Sequence, residues 1–378
     1  MKKINIKDFG AKGRHVLFDT IGLQRALNHA KKEPVEVYVP KGTYYIGKEL
    51  VIYAHTYLHL HPDAVLRRMS PFAMLKNGRK SEGYKGYDGN GYIKIEGGTF
   101  DQYGHVLNFN NSIMSLGHAR EIEIKDVTFK NVVQGHAIDA CGIDGFKVSG
   151  CKFLGFRDDS GERAFSEAIQ LDLQLKDSFP KFGEYDGTVT KNVIIENCYF
   201  GNSNEPMMKP WNRAIGSHAS TYEIYYENIT VKNNTFDKMG DYALTFLKSK
   251  VLHVYDNTFN DCNGGIRYLA TKKGKYSLDL YGNDHGAQAG EMTVIRNNHF
   301  HSINDKYAIL FLSYDGKKNK DIYIIDNEFS EDNMCTIKIG AAKNVVCMQN
   351  KNLKQIKKVE VDDFYAETIA KDESVGEL

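Results

Sequence analysis

Apolar residues recur along this chain at alternate positions in short runs, each followed by Asn, Asp or Gly and then by a Phe. The phrase reads Ile93-Lys94-Ile95-Glu96-Gly97-Gly98-Thr99-Phe100 and Ile122-Glu123-Ile124-Lys125-Asp126-Val127-Thr128-Phe129. It returns from Phe146 to Phe153 and from Val193 to Phe200, and further copies end at Phe236, Phe259, Phe300 and Phe329, with a degenerate one at Leu353. Successive ends lie 29, 24, 47, 36, 23, 41, 29 and 24 residues apart. The shortest intervals set the length of one coil, and the longer ones are the same coil with insertions. Period-two alternation marks strands, because successive side chains point to opposite faces. A unit this small cannot bury its apolar row alone, so the copies must stack. Parallel stacking about 4.8 Å apart joins the inward rows into one core. It sets Phe upon Phe, and places the Asn/Asp/Gly column at a turn that needs a left-handed backbone and can carry an amide ladder. The pattern predicts an all-β, single-stranded right-handed parallel β-helix (solenoid) with a short N-terminal capping helix. A β-propeller would need a sustained period of about 40–50 residues, and none is present.

Another strand lies in the middle of each coil. Its copies are residues 136–141, 167–172, 213–218, 242–247, 264–269 and 307–312. With Ile169 and Leu171 inward, Gln170 and Asp172 point outward. Alignment puts Asp139, Gln170, Gly216, Thr245 and Arg267 in one outward column, and Cys141, Asp172, His218, Leu247 and Leu269 in the next. His136, Glu167, Arg213 and Tyr242 form a third at the leading end. Before the first coil, Asp19 or Thr20 can cap a helix running to Lys32, with Leu23, Ala26, Leu27 and Ala30 on one face. Such a lid covers the exposed edge of a solenoid. The expected organisation is residues 1–34 as N-terminal strand and capping helix, 35–355 as β-helix, and 356–378 as a C-terminal cap or tail.

Composition narrows the function. In 378 residues, 42% are hydrophobic, which excludes wholesale disorder, and the net charge of +1 excludes a nucleic-acid binder held by a broad basic surface. No run of about 18 apolar residues is present, so no spanning helix is expected. The start, Met1-Lys2-Lys3-Ile4, lacks an apolar h-region, so no signal peptide is expected. Cysteines at 141, 151, 198, 262, 335 and 347 show neither paired nor metal-binding spacing and read as small buried hydrophobes, with no metal site.

The N-terminal stretch resembles the pectate-lyase-like β-helix superfamily, which includes polygalacturonase-like hydrolases, pectate lyases, alginate epimerases and phage tail depolymerases. The resemblance lies in Ile4-Asn5-Ile6-Lys7-Asp8-Phe9-Gly10-Ala11, in Asp19-Thr20 with Gln24-Arg25-Ala26-Leu27, and in Val37-Tyr38-Val39-Pro40-Lys41-Gly42-Thr43-Tyr44. The superfamily's Asp-Gly-x-x-Asp-Asp is reduced here to residues 14–20. Gly264-Gly265-Ile266-Arg267 is similar to a polygalacturonase strand, but that family's Asn-Thr-Asp, paired Asp-Asp and Gly-His-Gly signatures are missing. The resemblance implies the fold and a polysaccharide partner, at the cell surface, secreted or on a virion; it allows a homotrimer as in phage tailspikes and leaves the oligomeric state open. It does not transfer the chemistry.

The chemistry is therefore argued from the outward columns. Asp139 lies one coil from Asp172 and two positions displaced, which sets the carboxylates roughly 8 Å apart. That falls within the roughly 6.5–9.5 Å of an inverting glycosidase. Asp172 and Asp139 are expected as the acid/base pair, with Glu167 as a competing carboxylate and His218 tuning Asp172. Arg213, Arg267, Gln170, His136 and Trp211, the only tryptophan, are expected to bind substrate. Insertions 154–166, 174–190, 202–212 and 271–290 would wall the groove. The plainer alternatives are an inert Asp172–His218 surface pair, charge pairing of Glu167 in its column, and Trp211 as a packed anchor. Three functions follow: a carboxylate-based glycoside hydrolase without cofactor; a lyase of a uronate polymer, with Asp139, Glu167 and Asp172 holding Ca²⁺ and Arg213 or Arg267 beside them; and a non-catalytic glycan-binding adhesin.

Overall fold

The computed structural model describes residues 1–163, 165–331, 337–367 and 372–374. The chain divides into two compact units, Met1–Thr190 with Cys198–Trp211, and Lys191–Asn197 with Asn212–Leu378. Each is built of right-handed parallel β-helix coils. In the first unit Met114–Lys125 pairs in parallel with Ile138–Ser149, and Glu167–Asp172 pairs with the latter. A separate ladder joins Thr99–Asp101, Thr128–Val133, Lys152–Arg157 and Tyr199–Gly201. In the second unit Tyr242–Leu247, Gly264–Leu269 and Ile309–Leu312 form one ladder. Tyr226–Lys232, Ser249–Tyr255, Glu291–Arg296 and Asn319–Ile325 form another. Thr235–Asp237, Thr258–Asn260, His299–His301 and Glu328–Phe329 form a third.

Each coil thus has three strands, one more than the pattern suggests. The difference lies at the polar residue inside the repeated phrase. Asp126, Asn233, Asp256, Asn297 and Asp326 all take φ between 52° and 58°. A left-handed residue breaks the strand, so the Phe belongs to a strand of its own. The expected ladders form on either side of this turn. In the first unit Phe100, Phe129, Phe153 and Phe200 stack with centroids 6.0, 5.0 and 4.6 Å apart. In the second, Phe236, Phe259, Phe300 and Phe329 stack at 4.9, 4.7 and 5.0 Å. Beside them Asn234, Asn257, Asn298, Asn327 and Asn350 form an amide ladder: each Oδ1 accepts from the Nδ2 of the previous rung at 2.9 or 3.0 Å. These side chains are buried, apart from the partly buried Asn350, and every rung satisfies polar groups that would otherwise be stranded.

The helix spans Val16–Leu27, followed by a 3₁₀ turn at Asn28–Lys31, and begins earlier than Asp19. Its cap is His15, whose Nδ1 accepts from Phe18 N at 3.4 Å. Asp19 instead turns inward, where its carboxylate accepts from the amides of Lys12, Gly13, His15 and Tyr45. Leu23, Ala26 and Leu27 are buried as the helical spacing predicts. At the other end Ile356–Ala366 pairs in parallel with Ile337–Met348, so the ladder continues past residue 355. Its charged residues hide the alternation that marks the earlier strands. Cys141, Cys151, Cys198, Cys262 and Cys347 are buried free thiols, and Cys335 lies outside the described residues. Among the described residues no helix is long and apolar enough to cross a membrane.

Candidate functional site

Within each unit the strand registers follow the expected columns. Asp139 stands opposite Gln170 and Cys141 opposite Asp172 in the first. In the second, Gly216 stands opposite Thr245, and Thr245 opposite Arg267. Asp172 and His218 belong to different units, and His218 is partly buried.

The outward face of the first unit is not a groove. Glu167 and Asp172 are 0% exposed, and Asp139 and Gln170 are 2% exposed. Over Cys141 and Asp139 the insertion 174–190 lies as a strap. Phe179 and Phe182 pack on Cys141, with Tyr84 against them. Between the two rings Lys181 reaches down to pair with Asp139 and donates to Ser115 Oγ at 2.8 Å. Thr190 Oγ1 accepts from Gly142 N at 2.9 Å, and His118 stands between the carbonyls of Gly86 and Glu184 at 2.9 and 3.1 Å. The segment reads as polar loop because its two phenylalanines lie among Lys, Asp and Gly. Burying two rings is worth several kcal/mol at about 25 cal/mol per Å², enough to hold such a strap down.

The carboxylates beneath the strap are engaged with protein. Gln170 Nε2 donates to Asp172 Oδ2 at 2.8 Å, and Cys141 Sγ donates to Asp139 Oδ1 at 3.3 Å. A glycosidase pair must touch both sugar and water. The expectation of an open acid/base pair at Asp139 and Asp172 is therefore corrected, and Glu167 is equally enclosed. His136 Nδ1 lies 2.7 Å from Glu167 O and 4.0 Å from its Oε2, a column pairing inside the fold rather than a substrate contact. Trp211 is 0% exposed and stacks on Phe156 at 4.8 Å, which makes it a packed anchor and not a sugar platform. Asp139, Glu167 and Asp172 do not converge as a metal-ligating group, and no such group is found among the described residues.

The second unit keeps charge at its surface. Asp241 accepts from Arg213 Nε at 2.7 Å, pairs with Lys306, and has Arg267 Nη2 at 3.6 Å. Arg267 and Lys306 also lie over the Tyr242 ring, 5.0 and 5.4 Å from its centroid. Burial would raise the Asp241 carboxyl. The Lys306 hydrogen bond and the charges of Arg213 and Arg267 outweigh it and hold the group below the usual carboxylate range. Three cations share this one carboxylate. Side-chain exposures of 13% for Arg213, 19% for Arg267 and 38% for Lys306 leave them within reach of an anionic ligand. Sequence columns found both arginines but missed Asp241 and Lys306, which stand just before the aligned positions. The only signal was their place beside Tyr242 and Tyr307.

A further group had no signal in the pattern. Lys248 is fully buried, donates to Thr221 O at 2.7 Å, pairs with Gln288 Oε1, and lies 4.7 Å from the Tyr225 centroid. Burial pulls its ammonium down to about 7. It ties the 271–290 insertion to the loop at 219–226.

A sequence model of the family described as rhamnogalacturonase A/epimerase, pectate lyase-like, matches residues 3–139. The plasmin and fibronectin-binding protein A of Streptococcus pneumoniae (strain ATCC BAA-255 / R6) is 28% identical over 263 residues, 62% of this chain and 36% of that protein. The chain thus spans little more than a third of this curated relative's length. The crystal structure of PfbA, described as a surface adhesin of Streptococcus pneumoniae, superposes with a TM-score of 0.77 at 22% identity, over 97% of this chain and 89% of that one. The tailspike protein of E. coli bacteriophage HK620 superposes with a TM-score of 0.61 at 11% identity, over 99% of this chain and 65% of that one. With three-stranded coils, phenylalanine and asparagine ladders and a capped first coil, the chain has the right-handed parallel β-helix fold of these structures, and its residues 3–139 are similar to the pectate lyase-like family.

Proposed function

We propose that this chain is a non-catalytic binding β-helix of the surface-adhesin type, which holds acidic glycans through Arg213, Arg267 and Lys306. The observation that carries this reading is the contrast between two faces. The carboxylates a hydrolase would use are buried, Asp139 beneath 174–190, while the cations around Asp241 remain partly open. The relative named for plasmin and fibronectin binding, and the structural neighbour described as a surface adhesin, support binding at a cell surface over turnover. Plasmin and fibronectin therefore belong in the same ligand panel.

The test is equilibrium binding to immobilised uronate-containing and neutral polysaccharides. Each charge-assisted hydrogen bond contributes about 1.5–3 kcal/mol, so Arg213→Ala with Arg267→Ala lowers affinity for the acidic polymer roughly tenfold or more. The interaction weakens with added salt. Equal binding of acidic and neutral polymers, or no loss in the double variant, contradicts the assignment. The reading as a polysaccharide hydrolase is favoured by one observation, the family description matched over residues 3–139, which end at Asp139. It predicts cleavage products from the same polymers.

A further inference from the structure

In the second unit one column of turn residues runs along the ladder that begins with residues 191–196. Its members are Asn192, Asn228, Val251, Met292, Asp321, Asn344 and Asp363, all with φ between 50° and 60°. Asn and Asp tolerate this left-handed region, and Val tolerates it badly because its branched Cβ meets the backbone. The polar members bind one another: Asn228 Nδ2 donates to Asn192 Oδ1, and Asn344 Nδ2 to Asp321 Oδ1, each at 2.9 Å. Between these pairs stand Val251 and Met292, on adjacent rungs and 38% and 37% exposed. Two rungs therefore exchange a bonded, strain-tolerant amide for a strained or water-exposed apolar side chain.

The surroundings indicate what covers them. The neighbouring outward row carries Val294, Tyr323 and Val346 in register, with His253 on the Val251 rung. On the other side Glu227, Lys250, Glu291 and Lys320 stand in register on four successive rungs, alternating in sign. Alternation of this kind is self-complementary under rotation. A twofold axis between the Val251 and Met292 rungs sets Val251 of one copy on Met292 of the other. The same rotation sets Lys250 opposite Glu291 and Glu227 opposite Lys320, opposite charges in both cases.

We propose that this face docks a second copy of the chain, antiparallel and twofold-related, with Val251 and Met292 at its centre. The measurement is sedimentation equilibrium of the purified chain over a range of concentrations, with thermal unfolding as a control. The chain forms a concentration-dependent dimer. Val251→Asn with Met292→Asn gives a monomer whose unfolding midpoint is unchanged or higher, because Asn suits the column. Glu227→Lys weakens dimerisation roughly tenfold, and adding Lys320→Glu restores it. Within one chain those two residues lie three rungs, about 14 Å, apart, so rescue must act across the interface. A monomer at every concentration, a trimer, a dimer indifferent to the Asn pair, or failure of the rescue would each overturn the proposal.

Discussion

Asp241 shows what a single residue does at this surface. It gathers Arg213, Arg267 and Lys306, and so holds three like charges side by side. Asp241→Asn is expected to lower stability by about 1.5–3 kcal/mol at neutral pH, measured by denaturant unfolding. The carboxyl is held below its ordinary value of 3.8, so the folded state binds its proton less tightly than the unfolded chain does. Its stabilisation is complete above that value and is lost as pH falls through the lower folded value, and the variant lacks this acid-range dependence. Lys248 works in the alkaline range. Its folded value of about 7 lies below the ordinary 10.5, so between the two the unfolded chain carries a proton that the folded chain lacks. Stability therefore rises with pH across that window, and Lys248→Met removes this rise. Strand alternation located Arg213, Arg267, Asp139 and Asp172 in their columns. It could not show Lys248 or the engagement of Asp139, because alternation reports which face a side chain takes and not what lies over that face.

At the scale of elements, the strap 174–190 and the asparagine ladder divide the work. The strap encloses a charge, and removing one partner of an enclosed pair costs about 3–5 kcal/mol because the other is left uncompensated. Lys181→Met is expected to lose roughly that much, and adding Asp139→Asn is expected to recover most of it in a double-mutant cycle. The ladder is a chain of satisfied amides. Asn298 Nδ2 donates to Val254 O, Arg296 O and Asn327 Oδ1, while its Oδ1 accepts from Asn257. Asn298→Ala strands several buried groups and is expected to cost about 2–4 kcal/mol, read as a fall in the denaturant midpoint. The ladder was legible in sequence because every rung repeats the same residue at the same place in the phrase. The strap was not, since it occurs once and its Phe179 and Phe182 follow no period. The third strand of each coil was hidden for a related reason: the left-handed Asp or Asn lies inside a phrase that alternates on both sides of it.

For the molecule as a whole, the repeat identifies the β-helix fold, while the placement of one insertion bears on the choice between the hydrolase reading and the binding reading. In the first unit the positions that suggest a glycosidase, Asp139 and Asp172, are enclosed, and the proposed binding shifts to the cations around Asp241. The most direct measurement follows from that shift. A polysaccharide found to bind the chain is incubated with it to equilibrium, and new reducing ends, unsaturated products and polymer length are followed together. The account predicts retained binding with no reducing ends, no ultraviolet-absorbing product and unchanged polymer length. Depolymerisation that disappears in Asp172→Asn or Asp139→Asn would contradict it.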